Sequence, residues 1–175
     1  MRVLPLFLLC AVLLCACAVE GEARLGYRER AFSCRLEGVL DGVAFDATLS
    51  VGAPVDVGAR DFTLGFSAPG SLAGIVLERR EGRLLATCDG LSLEGERFVG
   101  WAQIAELFCL EGEICEMGVT TLNGQEMNFV AMTCEAGRIR VLLDDGQSYP
   151  CRMEGELSGH SLSVAVVQYQ ETDGT

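Results

Sequence analysis

The chain holds few residues able to do chemistry. Its one histidine, His160, stands in the turn Ser158-Gly159-His160-Ser161. An imidazole can act as a general base near neutral pH, but it works with a carboxylate that orients it, and the sequence shows no evident one. His160 therefore reads as a surface turn residue. All 13 basic residues are arginine, so Schiff-base and lysine-base chemistry is excluded. G-x-S-x-G, the P-loop, G-x-G-x-x-G and H-E-x-x-H are all missing from the sequence, and with them the usual nucleophile, phosphate and zinc sites. Glu111, Glu113 and Glu116 cluster, and Asp144-Asp145 marks a turn. Either group could hold a weak cation, but EF-hand spacing is absent and solvated charge is the plainer reading. No catalytic residue, metal or cofactor is expected.

Cysteine is the other reactive type. Of nine cysteines, Cys10, Cys15 and Cys17 fall in an N-terminal leader. Cys34, Cys88, Cys109, Cys115, Cys134 and Cys151 remain. An even number in an exported chain permits disulfides, with 15 connectivities open. Cys134–Cys151 and Cys109–Cys115 are the first pairs to test. Most of the six sit at inward strand positions, so small buried hydrophobes are the alternative. No C-x-x-C occurs, which argues against zinc.

Met1-Arg2 followed by an uncharged apolar run from Val3 to Val19 is the signature of an export signal. Leu14-Cys15-Ala16-Cys17 resembles a bacterial lipobox, with Cys17 as the acylated residue. Ordinary cleavage after Ala18 is the rival, and a retained anchor helix a third option. The organisation expected is a signal over residues 1–16, a tether over 17–30, one domain over 31–170 and a polar tail over 171–175. Two or three acyl chains at Cys17 would hold the protein to a membrane. A net charge of −12 argues against nucleic-acid partners and against a polybasic grip on anionic lipid.

The remaining residues alternate with period two. Phe32, Cys34 and Leu36 lead to Asp41-Gly42, a two-residue hairpin turn. Val43, Phe45, Ala47, Leu49 and Val51 follow. Phe62, Leu64 and Phe66 predict a third strand ending at Ala68-Pro69-Gly70. Further strands are predicted over Leu72–Arg79, Arg83–Asp89 and Leu91–Leu93. The period then becomes helical between Glu96 and Leu110, with Phe98, Trp101, Ala102, Ala105 and Phe108 on one face. Glu94 and Glu96 lie at its expected start. Alternation resumes over Ile114–Thr121 and Glu126–Cys134, flanking Asn123-Gly124, then over Arg138–Leu143, Tyr149–Leu157 and Leu162–Tyr169. The fold class expected is mainly β (α+β): a curved antiparallel sheet of about ten strands with one helix on its concave face.

This pattern resembles the LolA/LolB-like half-barrel lipoprotein superfamily, and among its members uncharacterised Firmicutes-type lipoproteins. The resemblance rests on the Asp41-Gly42 hairpin, the strand end Phe66-Ser67-Ala68-Pro69-Gly70-Ser71-Leu72, the strand pair ending at Asp89-Gly90-Leu91, the single helix, and the closing meander from Asp144-Asp145-Gly146 through Tyr149-Pro150 to Tyr169. It implies an eleven-stranded half-barrel closed by helices, whose concave apolar face holds acyl chains. The expectation is a non-enzymatic, extracytoplasmic, membrane-tethered lipoprotein binding a lipophilic molecule or a lipoprotein. Phe45, Phe62, Phe66, Trp101 and Phe108 are the candidate ligand-binding residues, with plain core packing as their alternative. Met117, Met127 and Met132 share that alternative. The competing function is a structural or interaction module of the cell envelope with a fully packed core.

Overall fold

A computed structural model describes residues 25–55, 59–144 and 149–172. The leader, Cys17, Asp145 and the last three residues lie outside these.

Two-residue hairpin turns shape the described chain; Glu135-Ala136 joins β8 to β9, and five others share one conformation. Asp41-Gly42, Glu81-Gly82, Asp89-Gly90, Asn123-Gly124 and Ser158-Gly159 all have positive φ at both positions. Only glycine adopts that conformation without strain, and the resulting turns match the twist of the strands they join. They link β1 (Phe32–Leu40) to β2 (Val43–Val51), β4 (Val76–Arg80) to β5 (Arg83–Cys88) and to β6 (Leu91–Glu94), β7 (Glu113–Leu122) to β8 (Gln125–Cys134), and β10 (Pro150–Leu157) to β11 (His160–Glu171). The remaining strands are β3 (Phe62–Ala68) and β9 (Gly137–Leu143).

All eleven strands form one antiparallel sheet in the order β6-β5-β4-β3-β2-β1-β11-β10-β9-β8-β7. β1 and β11 therefore meet at its centre, and β6 and β7 are its open margins. The segment between those margins crosses the concave face as a 3-10 turn (Gly95–Phe98) and helix α1 (Val99–Cys109). Bulges after Arg35, Asp46, Ile114 and Pro150 bend the strands and add twist.

The sheet's inward residues and the helix make the core. Leu36, Leu49, Leu64, Leu77, Val141, Met153, Leu157 and Val164 are fully buried, as are Ile104, Ala105, Leu107 and Phe108 of α1. Burying each large aliphatic or aromatic side chain contributes roughly 1.5–3 kcal/mol.

Several expectations need adjustment. The strand predicted from Leu72 starts at Val76, because residues 71–74 form a turn after the Ala68-Pro69 bond. The helix begins at Val99 and has no acidic residue in its first turn. Glu94 and Glu96 belong instead to β6 and the 3-10 turn before it. β11 extends through Glu171, which pairs with Phe32. Upstream, Gly26–Arg28 is a 3-10 turn, and Leu25 and Tyr27 are buried against the core.

Candidate functional site

The five aromatic candidates divide between the two ends of α1. At its start, Trp101 packs edge-on against Phe45 and Phe66, with ring centroids 6.1 and 5.4 Å away. Phe45 reaches this position by lying across β1 at Gly38, where a Cβ would come within 2.7 Å of its ring. At the helix end, Phe108 packs on Phe32 and Tyr27, at 5.9 and 6.4 Å. Phe62 lies apart, beneath the Arg79 guanidinium at 4.7 Å. Phe45, Phe62, Phe66 and Phe108 are buried and Trp101 is partly so. Phe45, Phe66 and Trp101 thus form one aromatic group, and Phe108 belongs to another with Phe32 and Tyr27.

The end carrying Phe108 also holds a polar clamp. Arg60 and Arg79 are both buried. Arg60 Nε donates to the Gly52 carbonyl at 3.0 Å, and Nη1 donates to the carbonyls of Tyr27 and Arg28, each at 3.3 Å. Its Nη2 donates to Gly52 at 2.6 Å and to the Arg30 carbonyl. Arg79 Nε and Nη2 donate to the Arg60 carbonyl at 2.8 and 2.6 Å, and Nη1 pairs with Glu106 of α1. A buried cation needs this degree of satisfaction. The clamp ties the segment before β1, the approach to β3, strand β4 and the helix to one another. Beside it lies an open cleft of about 460 Å³, bordered by Val55, Phe108, Leu110, Arg28 and Arg79.

His160 has the carboxylate that the sequence did not reveal: its Nδ1 lies 2.6 Å from Asp41 Oδ2. Asp41 also accepts the Ser161 N–H at 2.8 Å. Hydrogen bonding from His160, then from Ser161, holds the Asp41 carboxyl below its ordinary 3.8. The imidazole sits against the helix start, where a Cβ at Gly100 would meet Cε1 at 3.2 Å and Nε2 at 3.3 Å. Through Asp41 the ring joins the Asp41-Gly42 and Ser158-Gly159 turns, and it packs against the start of α1.

None of the six described cysteines forms a disulfide. The expected Cys134–Cys151 pairing fails on register. Cys134 pairs with Gly137, and Gly137 with Leu157, so Cys151 lies at the other end of β10, roughly 20 Å along the strand. Cys109 and Cys115 are likewise unbridged. Burial pushes the thiols of Cys34 and Cys109 up to about 12 and about 11, which suppresses the reactive thiolate. Among the described residues, no group of three or more His, Cys, Asp or Glu could hold a metal ion.

The β7 margin has a different character. Ile114, Met117 and Val119 are 39, 50 and 61% exposed, although Met132 and Val130, the cross-strand neighbours of Ile114 and Met117, are buried. Met117 is thus not a core residue, whereas Met132 is. Met127 packs on the convex face beside Phe129 and Leu142, where Arg140 lies 4.1 Å from the Phe129 ring.

Among the described residues, eleven antiparallel strands form one open, curved, half-barrel-like sheet around one helix. The chain is similar to the structure of an uncharacterized conserved protein from Thermus thermophilus, with 14% identity and a TM-score of 0.54 over 88% of this chain and 86% of that one. It is similar to MucB, with 14% identity and a TM-score of 0.53 over 87% of this chain, and spans 57% of the MucB chain. A looser likeness, with 8% identity and a TM-score of 0.45, joins it to a LolA superfamily protein from Nitrosomonas europaea over 86% of this chain and 90% of that one. At these identities the likeness is one of fold. No protein-family model and no curated protein matches the sequence.

Proposed function

We propose that this protein is an extracytoplasmic, non-enzymatic lipoprotein, acylated at Cys17 and tethered to a membrane, whose half-barrel serves as an interaction module for an envelope protein. The leader and its Leu14-Cys15-Ala16-Cys17 motif support the tether. One observation carries the choice of an interaction module: α1 fills the concave face over β2, β3 and β11, with Ile104, Ala105, Leu107 and Phe108 fully buried. A ligand would have to displace the protein's own core there, so recognition falls to surfaces that remain exposed. The polar groups able to do chemistry have structural partners: Arg60 and Arg79 in the clamp, His160 on Asp41. Intact mass of the membrane-extracted protein tests the tether. The expected chain begins at Cys17 and carries acyl chains; an unacylated chain beginning at Val19 would replace the tether with secretion. Lipid extraction followed by mass spectrometry tests the rest, and the expected result is no stoichiometric lipid.

A second reading keeps a lipophilic ligand. The cleft beside Phe108 favours it, because apolar Val55 and Leu110 lie there next to Arg28; Arg79 is paired with Glu106, and Glu111 also borders the cleft. That mixed lining suits a lipophilic molecule with a polar end. In this reading α1 moves, and Phe45, Phe62, Phe66, Trp101 and Phe108 receive the acyl chain. Saturable brightening of a fluorescent fatty acid, lost in Phe108→Asp but not in Val119→Asp, would establish it over the first.

A further inference from the structure

Three independent features meet at the β7 margin. The first is the direction of its backbone groups. Leu122 and Gln125 close the Asn123-Gly124 hairpin. In a two-residue hairpin the closing pair exchanges both hydrogen bonds, and bonded and non-bonded pairs alternate from there. Leu122, Thr120 and Gly118 therefore bond to β8, paired with Gln125, Met127 and Phe129. Thr121, Val119 and Met117 aim their N–H and C=O groups the other way, where the sheet has no further strand among the described residues. The second is side-chain exposure. Met117 shares the concave face with its partner Val130, which is buried, yet Met117 and Val119 are 50 and 61% exposed. The third is charge. Glu113 stands at the strand's start and Glu126 opposite Thr121 near its end, both exposed, on a chain of net charge −12; Glu116 is already paired with Arg138 at 3.0 Å.

Natural edge strands are blunted by shortness, by charged side chains or Pro, by a bulge, or by a covering element. β7 is 10 residues long, has no Pro, and carries its charges, Glu113 and Glu116, only near its start. Its one bulge lies between Ile114 and Glu116, which leaves Met117 to Leu122 straight and uncharged. We propose that β7 is a docking edge that accepts an extended, basic segment of a partner polypeptide as a further strand of the sheet. The proposal rests on the interaction-module reading and gives that reading its site and partner chemistry. Backbone groups of Met117, Val119 and Thr121 supply the affinity, as in other strand additions. Apolar partner residues cover Met117 and Val119 and continue the floor made by Val130 and Met132. Cations toward the ends of the incoming segment meet the glutamates. The charge also selects a foreign segment over a second copy, because two chains at −12 repel each other.

The test uses the membrane-extracted protein in neutral detergent and two short peptides of alternating Val and Thr, one ending in Arg residues and the other in Glu. Amide exchange is expected to slow at Met117, Val119 and Thr121 with the Arg peptide and to stay unchanged in β6. Fluorescence anisotropy is expected to show the Glu peptide binding at least tenfold more weakly. Val119→Pro removes an outward N–H and no bond to β8, so it is expected to weaken the Arg peptide at least tenfold with little change in Tm. If that variant folds poorly, Val119→Lys is expected to give the same loss by placing a like charge under the incoming strand. Equal affinity for the two peptides would overturn the proposal, as would unchanged exchange at those three amides. Protection that grows with protein concentration alone would also overturn it, assigning the edge to a second copy. Cys17 acylation and bound lipid are read by mass on the same preparation, so failure at β7 is separate from failure of the broader reading.

Discussion

β6 and β7 end the same sheet at opposite margins and in opposite ways. β6 is 4 residues long and runs directly into the 3-10 turn that leads to α1, so the chain itself folds inward from that edge. Two strands further in, Arg79 of β4 is bound to Glu106 of the helix, and that side of the half-barrel is stapled shut. β7 is 10 residues long and follows the helix after the extended Leu110. Its apolar side chains stay exposed while β2, β3 and β11 hold α1. Leu91 of β6 is itself 70% exposed, and both strands join the helix within a few residues, so the margins differ in length and in the Arg79–Glu106 staple near β6. β7 presents the longer run of apolar residues to water or to a partner.

This contrast can be broken by mutation. The largest effect is expected at the stapled side. Arg79→Ala leaves Glu106 and the Arg60 carbonyl without their cation, and breaking a buried pair costs about 3–5 kcal/mol, measurable by urea denaturation. Leu107→Ala opens a cavity beneath the helix and is expected to cost about 2–5 kcal/mol. Val119→Ala on β7 is expected to stay within about 0.5 kcal/mol. Equal losses for Leu107→Ala and Val119→Ala would abolish the distinction between the margins.

Thiol reactivity sharpens the same contrast. A Cys109 thiol pushed up from 9.0 to about 11 by burial has roughly a hundredfold less thiolate near neutral pH. Exposed Cys115 on β7 is therefore expected to react with iodoacetamide well before Cys109 and Cys34, as read by peptide mass mapping. The smallest effect is expected at the far end of the helix. The Asp41 carboxyl is held below 3.8 by His160 and Ser161. A depressed carboxyl contributes stability above its unfolded value and loses it as pH falls through the folded one. The Tm advantage of the native chain over Asp41→Asn should thus be small, present above pH 3.8, and shrink on further acidification.

Much of the architecture is written locally. An X-Gly pair at each of five turns and the alternation between them are enough to lay out the hairpins, and the change of period marks α1. The helix start differs from expectation by a few residues, because Glu94 and Glu96 carry no signal that separates a strand end from a helix turn. Ile104 and Leu107 escape a search for a one-sided stripe. A helix enclosed by a curved sheet is apolar around most of its circumference. Arg60 and Arg79 do leave a trace: each sits at the same parity as an inward neighbour, Phe62 and Leu77 respectively. An inward-parity arginine signals a buried cation in need of carbonyls. The Asp41–His160 pair, 119 residues apart, has no local signature. Likewise, the exposure of β7 depends on where the helix settles, which alternation cannot report.

The clasp of Arg60 on Tyr27, Arg28 and Arg30 has a mechanical meaning. A force pulling on the chain ahead of Leu25 meets that guanidinium, and the Arg28 guanidinium on the Leu110 carbonyl, before it can peel β1 from β2 and β11. The load is spread sideways into the Gly52 carbonyl and, through Arg79, into the helix. The central strand, on which both halves of the sheet depend, is thereby shielded from the direction in which a leash would tug.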